Sequence, residues 1–167
     1  MSPEEIAERL RSRYADVLLA RGEVTVLVGP GEVVGTIEAL RDDPELHLDF
    51  LSCLTATHHP GVVPALWVVY ELRSTASHHR VRVKAGLAGD DAPHVPSVTA
   101  MFPTANWQER EVFDFYGIVF DGHPHLTRIL MPDAWEGYPL LKTEELGGVN
   151  TRYHGAFIPP VDQRTTT

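Results

Sequence analysis

The sequence contains a single cysteine, Cys53, among 167 residues. One cysteine forms no internal disulfide, and alone it can hold neither an iron–sulfur cluster nor a thiolate-bound zinc ion. Cys53 lies in the apolar run 50–54, where a cysteine is usually an inert core residue, so nucleophilic catalysis has little support. The lack of a disulfide pair indicates a reducing compartment.

Lysines and long apolar runs are also scarce. Only two lysines occur, Lys84 and Lys142, and the net charge of -9 argues against binding to nucleic acid phosphates. No apolar run approaches the ~20 residues that cross a bilayer. The acidic start of the chain lacks the apolar core of a signal peptide. We therefore expect a soluble chain that another chain must hold if it acts at a membrane.

Cofactor and hydrolase motifs are missing as well. The sequence has no GxGxxG, Walker loop, GxSxG or HExxH pattern, so it offers no recognisable nucleotide, flavin or hydrolase site. Its composition, 43% hydrophobic and 22% charged, is that of a globular domain able to bury its own core.

The first forty residues predict a helix, a strand and a second helix. Ser2 and Glu5 form a capping-box pattern, and an apolar stripe continues to Gly22, which we expect to end the first helix. Alternation over 24–28 predicts a strand, and apolar spacing over 33–40 predicts a helix. The stripe of the first helix consists of Ile6, Leu10, Val17 and Leu18.

The middle of the chain predicts a sheet followed by a helix. Residues 50–57, 66–72 and 79–87 read as strands, and the last of these alternates apolar with basic residues. Because one face would then be solvated, an antiparallel sheet is expected. An acidic loop covers 89–96, and 97–101 can form a short helix.

A longer helix is predicted to begin at Asn106, with Glu109 in the capping-box position, and to end before Gly117. The fold class is therefore α+β: an N-terminal helix-strand-helix, an antiparallel sheet, a helix and an extended C-terminal arm. We expect one domain over residues 1–146 and an arm over 147–167 whose end is disordered.

Nine histidines raise the question of a metal site. The candidates are His58-His59, His78-His79, His123 and His125. Adjacent histidines in a strand point to opposite faces, and the two adjacent pairs lie beside predicted turns, which favours polar loop histidines over metal ligands. A small metal-binding module using His123 and His125 remains the alternative.

Charged side chains are dense on the predicted helix, where Glu111 and Asp114 are three residues apart and could form a pair of catalytic carboxylates. A capping box together with an arginine–carboxylate network explains the same residues without catalysis, and we favour it. The stripe Arg80, Arg82 and Lys84 is either the solvated face of a sheet or a surface for an acidic partner.

The segment 106–132 resembles the signature of the C subunit of NADH:quinone oxidoreductase (respiratory complex I, NDH-1), also called the 30 kDa subunit family. In that family a Glu-Arg-Glu triplet precedes an aspartate, aromatic residues and a glycine, then Gly-His-Pro, a basic residue and two aliphatic residues. The matching positions are Glu109-Arg110-Glu111, Asp114, Gly117, Gly122-His123-Pro124, Arg128 and Ile129-Leu130. The resemblance covers about residues 45–160, most strongly in the C-terminal half.

The resemblance implies a non-catalytic scaffold subunit of the peripheral arm, held by its partners on the cytoplasmic side of a bacterial cell membrane. FMN, the iron–sulfur clusters and quinone would all be bound by partners, among them the quinone-site D subunit and the cluster-bearing B and I subunits. No catalytic, cofactor-binding or metal-binding residue is then expected on this chain. The residues expected to hold structure and interface are Glu109, Arg110, Glu111, Asp114, Gly117, Gly122, His123, Pro124, Arg128 and Lys142.

Two segments depart from the family pattern. The family usually continues with Gly-His-Pro-Leu-Arg-Lys-Asp, whereas residues 137–143 read Gly-Tyr-Pro-Leu-Leu-Lys-Thr. The His, Arg and Asp are replaced, and among the charged residues only Lys142 is kept. An Asp-Tyr pair is often found where this chain has His58-His59. These departures leave open a divergent or second copy of the complex, or a related F420H2- or hydrogenase-type quinone-linked assembly. A free-standing binding module with the same fold is a further alternative.

Overall fold

A computed structural model describes residues 1–87 and 93–144. The helices are α1 (Pro3–Arg11), α2 (Val33–Asp42) and α3 (Ala105–Tyr116). The strands are β1 (Val17–Ala20), β2 (Glu23–Val28), β3 (Phe50–His58), β4 (Leu66–Arg73), β5 (Arg80–Leu87), β6 (His94–Pro96) and β7 (Val119–Asp121). The α+β class is confirmed, and so are the predicted strands that became β2 to β5 and the second helix.

Five strands form one sheet in the order β1-β2-β5-β4-β3, and β6 and β7 form a separate parallel pair. The pairs β3–β4 and β4–β5 are antiparallel, as expected, but β2 and β5 run parallel, so the sheet is mixed. A solvated face shows only that one side of a sheet is open and does not set strand direction. Here α2 and the β3–β4 hairpin intervene between β2 and its neighbour β5, and they return the chain in the same direction.

The N-terminal region departs from the predicted helix-strand-helix. The capping box of Ser2 and Glu5 is present, but α1 ends at Arg11, and Val17 lies in β1. Arg21 and Gly22 both have positive φ angles, 54° and 74°, as the two-residue turn of a β-hairpin requires. Gly22 therefore closes the β1–β2 hairpin and does not end a helix.

The connection after β5 also differs from the expectation. Part of the predicted acidic loop forms β6, which pairs with β7, and both short strands were missed. Residues 99–101 form a turn in place of a helix. Three-residue strands carry too little periodicity to be recognised in sequence.

The core lies between one face of the large sheet and the three helices. The four residues of β5 predicted to face inward are all buried, together with Tyr70 of β4. They are Val81, Val83, Ala85 and Leu87. No helix within residues 1–87 and 93–144 is both long enough and apolar enough to cross a membrane. The predicted arm over 147–167 lies outside the described residues.

Candidate functional site

The signature segment folds into α3, β7 and the irregular stretch 122–144, which we call the strap. Helix α3 ends at Gly117, whose φ of 75° is the left-handed conformation that glycine adopts without strain. A Cβ at this position would lie 2.5 Å from Cε2 of Tyr138 in the strap. Gly117 thus ends the helix and also lets the strap pass close to it.

Asp114 is the residue on which the strap is anchored. Its side chain has no solvent exposure, and Oδ1 accepts a hydrogen bond from Nη1 of Arg128 at 2.8 Å. Oδ2 accepts hydrogen bonds from three consecutive backbone N–H groups, at distances of 2.8–3.1 Å. These groups belong to Ile129, Leu130 and Met131. One buried carboxylate therefore fixes four consecutive residues.

The protonation of Asp114 follows from these contacts. Burial acts to raise the pKa of Asp114, but the N–H groups of Met131 and Leu130 and the guanidinium of Arg128 together hold it below its usual value. The carboxylate is thus ionised and saturated with donors. A carboxylate in this state is a structural anchor and a poor general base.

Arg128 connects α3 to two further points of the strap. Its guanidinium donates to the backbone oxygen of Asp114 and to that of Gly137, both at 3.2 Å, and lies 5.4 Å from the ring centroid of Tyr138. The side chain is only 18% exposed. Arg128 is thus partly buried and paired with a carboxylate, as one member of an arginine–carboxylate network.

Arg110 holds the strap one turn earlier on α3. Its guanidinium donates to the backbone oxygens of Thr127 and Arg128 and to Oγ1 of Thr127, at 3.0–3.2 Å. It also stacks over the ring of Trp107, 5.1 Å from its centroid. Arg110 and Asp114 therefore form hydrogen bonds with adjacent residues of the strap.

Glu109 does not close the capping box that its position predicted. Helix α3 begins at Ala105 without a side-chain cap, and Glu109 is fully buried. Its carboxyl oxygens accept from Oγ of Ser97 at 2.7 Å and from the N–H of Val98 at 2.8 Å. Glu109 therefore joins α3 to the segment after β6.

The pKa of Glu109 differs from that of an ordinary glutamate. Burial raises it to about 7, although the hydrogen bonds from Ser97 and Val98 act in the opposite direction.

Glu111, by contrast, is exposed. The structure thus places Glu111 and Asp114 in different environments and does not bring them together as paired carboxylates.

His123 uses both ring nitrogens in contacts with the backbone. Nε2 lies 3.1 Å from the backbone oxygen of Asn106, and Nδ1 accepts from the N–H of His125 at 3.0 Å. Because a carbonyl can only accept, Nε2 must carry the hydrogen. Gly122, with φ of 83°, and the exposed Pro124 form the turn around this ring. In the parts of the chain described, no group of three or more histidine, cysteine or acidic side chains could hold a metal ion.

A family model described as the 30 kDa subunit of respiratory-chain NADH dehydrogenase matches residues 26–150. The chain belongs to this family. The match begins within β2, so it covers more of the N-terminal half than the resemblance suggested. It also contains every signature residue described above.

Individual relatives support the membership of this chain in the 30 kDa family. The NADH-quinone oxidoreductase C subunit of Salinispora tropica is 42% identical over 169 residues, covering 96% of this chain and 69% of the relative. The same subunit of Mycolicibacterium gilvum is 41% identical, with 96% and 75% covered. That of Saccharopolyspora erythraea is 46% identical, with 89% and 59% covered.

A solved structure shares the fold at lower identity. A chain of the membrane-bound sulfane sulfur reductase, an archaeal respiratory membrane complex, superposes with a TM-score of 0.73 at 21% identity. The superposition covers 97% of this chain and 98% of that one. At this identity the likeness establishes the shared fold.

The segment that departs from the family pattern is attached to the sheet by a histidine. The backbone N–H of Lys142 donates to Nδ1 of His58 at 2.9 Å, while the side chain of Lys142 is exposed. His58 is the last residue of β3 and is buried, which corrects its assignment to a polar loop. The alternation of Leu54, Ala56 and His58 could have revealed this, because it places all three on the inner face.

Cys53 is exposed, contrary to the expected core position. The pairing of β3 with β4 shifts register between Leu51 and Cys53, and such a bulge turns the following residues to the other face. Partial burial and then the nearby charge of Glu71 raise the pKa of the thiol, which disfavours the reactive thiolate.

The basic stripe on β5 is partly neutralised by the sheet itself. Glu23 pairs with Arg80 at 2.8 Å and with Arg82 at 2.9 Å, and Glu71 pairs with Arg82 as well. Lys84 lies 4.8 Å from the ring centroid of Trp67. In this member of the 30 kDa family, the stripe is thus largely a network within the sheet.

Proposed function

We propose that the chain is a non-catalytic scaffold subunit in the peripheral arm of a proton-translocating NADH:quinone oxidoreductase. The observation that carries the identity of the complex is the similarity to NADH-quinone oxidoreductase relatives over 96% of the chain. Electrons would pass from NADH through FMN and iron–sulfur clusters to quinone, all held on other subunits. The chain would lie on the cytoplasmic side of the bacterial cell membrane, attached through its partners.

The use of the signature side chains supports a structural role. Asp114, Arg128, Arg110 and Glu109 all bind groups of this same chain, and two of the four are fully buried carboxylates. Surface cavities of about 370 and 480 Å3 are lined by other residues. Chemistry would require at least one of these groups to face a reacting molecule.

The strap supplies candidate contact residues for a partner subunit. Leu130 is 58% exposed although its N–H is fixed by Asp114, and Leu140 is 40% exposed. Trp107, 64% exposed, lies beside Arg110, which holds the strap. Tryptophan and arginine are enriched at protein interfaces, and exposed apolar side chains mark interaction sites where they form a patch. We assign this surface to the quinone-site D subunit, with the cluster-bearing B and I subunits as further partners.

A second candidate is a related F420H2- or hydrogenase-type quinone-linked complex. It is favoured by the altered segment 137–143, where the strap meets His58 through Lys142. The same scaffold role would apply, with a different electron donor on the partner subunits.

The test is purification of the tagged full-length chain from membranes of its own organism. Mass spectrometry should identify the other peripheral-arm and membrane subunits of an NADH:quinone oxidoreductase in stoichiometric amounts. The purified assembly should oxidise NADH and reduce quinone. Reduction driven by F420H2 or hydrogen in place of NADH would support the second candidate.

The control is a strain in which the same tag is attached to an unrelated cytoplasmic protein. Recovery of the tagged chain alone, without partner subunits, would contradict both candidates and favour a free-standing module. Tightly bound iron, zinc or flavin on the chain after separation from its partners would contradict the scaffold role.

A further inference from the structure

A cavity of about 370 Å3 lies at the end of the large sheet, away from the strap. Its walls come from the start of α1, the β1–β2 turn and the turn between β4 and β5. Four basic residues line it: Arg73, His78, His79 and Arg80. The volume falls within the range of sites for small molecules.

The charges at this cavity are only partly balanced by the protein. Arg73 and Arg80 are directly opposite each other on β4 and β5, a placement of like charges that is normally destabilising. Glu23 pairs with Arg80 but is shared with Arg82. Among the residues described, Arg73 has no ion-pair partner and is exposed. An anion between the two arginines would remove this repulsion.

The turn that carries the histidines is held in an unusual conformation. His78 has a φ of 60°, in the left-handed region that residues other than glycine rarely adopt. Strained backbone of this kind persists only when the surroundings fix it, and it often marks binding sites. Three hydrogen bonds within residues 74–79 fix it here.

His79 adds a polar atom without a partner. Its Nε2 lies 2.6 Å from the backbone oxygen of Leu46 and must therefore carry a hydrogen. Its Nδ1 is buried and has no hydrogen-bond partner among the residues that the structure describes. The ring of His79 therefore ties the turn to Leu46, and Nδ1 is not accessible to a ligand in the cavity.

We propose that this cavity binds a small phosphorylated molecule, with its phosphate oxygens between Arg73 and Arg80 and against the exposed side chain of His78. Arginine forms paired hydrogen bonds with phosphate, which suits this arrangement. The site lies apart from the signature residues, so the proposal does not depend on the proposed function.

The experiment titrates the full-length chain with inorganic pyrophosphate in a calorimeter, at an ionic strength held constant with sodium chloride. Saturable binding of one pyrophosphate per chain is expected. Arg73→Gln should weaken binding about tenfold or more, because a charged hydrogen-bond partner is lost. Arg11→Gln is the matched control, since Arg11 is an exposed arginine at the far end of α1. The affinity of this variant for pyrophosphate should equal that of the natural chain.

A second variant separates binding from folding. His78→Gly removes an imidazole and relieves the positive φ, so it should raise the Tm while weakening pyrophosphate binding. The proposal is overturned if pyrophosphate does not saturate the natural chain, or if Arg73→Gln and His78→Gly both bind as tightly as it does. Capture by phosphatidylglycerol vesicles without any binding of pyrophosphate would identify a lipid headgroup instead and would also overturn it.

Discussion

Asp114 on α3 and Arg128 in the strap lie 14 residues apart, and their side chains meet at 2.8 Å with the carboxylate fully buried. The same carboxylate binds the three N–H groups that follow Arg128. A loop without regular structure can thus have one fixed conformation, because its backbone donors are paired with a buried anion in place of a neighbouring strand.

Replacing Asp114 with asparagine should destabilise the chain by about 3–5 kcal/mol, since Arg128 and several N–H groups would lose their charged acceptor. The Tm should fall by about 6–20 °C. Urea unfolding followed by circular dichroism measures the change. Asp133→Asn, at an exposed position of the strap, is the control and should be nearly neutral.

The contribution of Asp114 to the free energy of unfolding should also depend on pH. Its folded-state pKa is lowered, so its contribution to stability is present above the unfolded value of 3.8 and is lost as pH falls through the folded value. The difference between the natural chain and Asp114→Asn should therefore shrink at acid pH. A difference that stays constant down to the acid transition would contradict this assignment.

The contribution of Glu109 to stability should depend on pH in the opposite direction. Its pKa is raised from 4.5 to about 7, so its contribution to stability is fully present below 4.5 and is lost as pH rises through 7. Glu109→Gln resembles the protonated form, because its amide can donate to Oγ of Ser97 while its oxygen accepts from Val98. Free energies of unfolding at pH 5, 6, 7 and 8 should decline for the natural chain relative to the variant.

Glu111→Gln, on the exposed side of the same helix, is the control and should follow the natural chain. If Glu109→Gln and the natural chain differ by the same free energy from pH 5 to pH 8, the raised pKa of Glu109 is wrong.

Gly117→Ala should destabilise the chain more than Gly22→Ala does. Both glycines have nearly the same φ, 75° and 74°, so the backbone strain of an alanine is matched. A Cβ at Gly22 would meet nothing within 4 Å, whereas at Gly117 it would meet the ring of Tyr138 at 2.5 Å. We expect an extra loss of about 1–3 kcal/mol at Gly117, measured by urea unfolding. Equal losses in the free energy of unfolding at both positions would show that the strap does not pack against Gly117.

The elements that sequence patterns predicted well are those with long, single-period signals. The alternation along β5 and the apolar spacing of α2 depend on one burial pattern each, and both are present. The missed hairpin shows the limit, because Val17 and Leu18 continue the helical spacing of α1 although the chain has already turned. The positive φ at Arg21 is a property of the turn that no periodicity reports.

The site was predictable as a set of residues but not as a set of contacts. The spacing of the signature identified Asp114 and Arg128 as members of one set, and an arginine–carboxylate network was expected, but their pairing with each other was not predicted. The partners of Glu109 could not be found, because Ser97 and Val98 follow the short strand β6, which sequence does not reveal. The partner of His58, a backbone N–H 84 residues away, could likewise not be found, although the alternation of β3 could have placed His58 on the inner face.

The central claim is that the signature residues hold structure and interface and perform no chemistry. Its most direct test is quinone reduction by membranes carrying Arg128→Ala, normalised to the amount of assembled complex, with Arg11→Ala as the matched surface control. Removal of Arg128 leaves Oδ1 of the buried Asp114 carboxylate without its charged partner, so less complex should assemble, by an amount set by a loss of about 2–5 kcal/mol. The complex that does assemble should retain near-normal turnover. Full assembly with turnover reduced about a hundredfold, a change of about 2.7 kcal/mol in the activation barrier, would contradict the account.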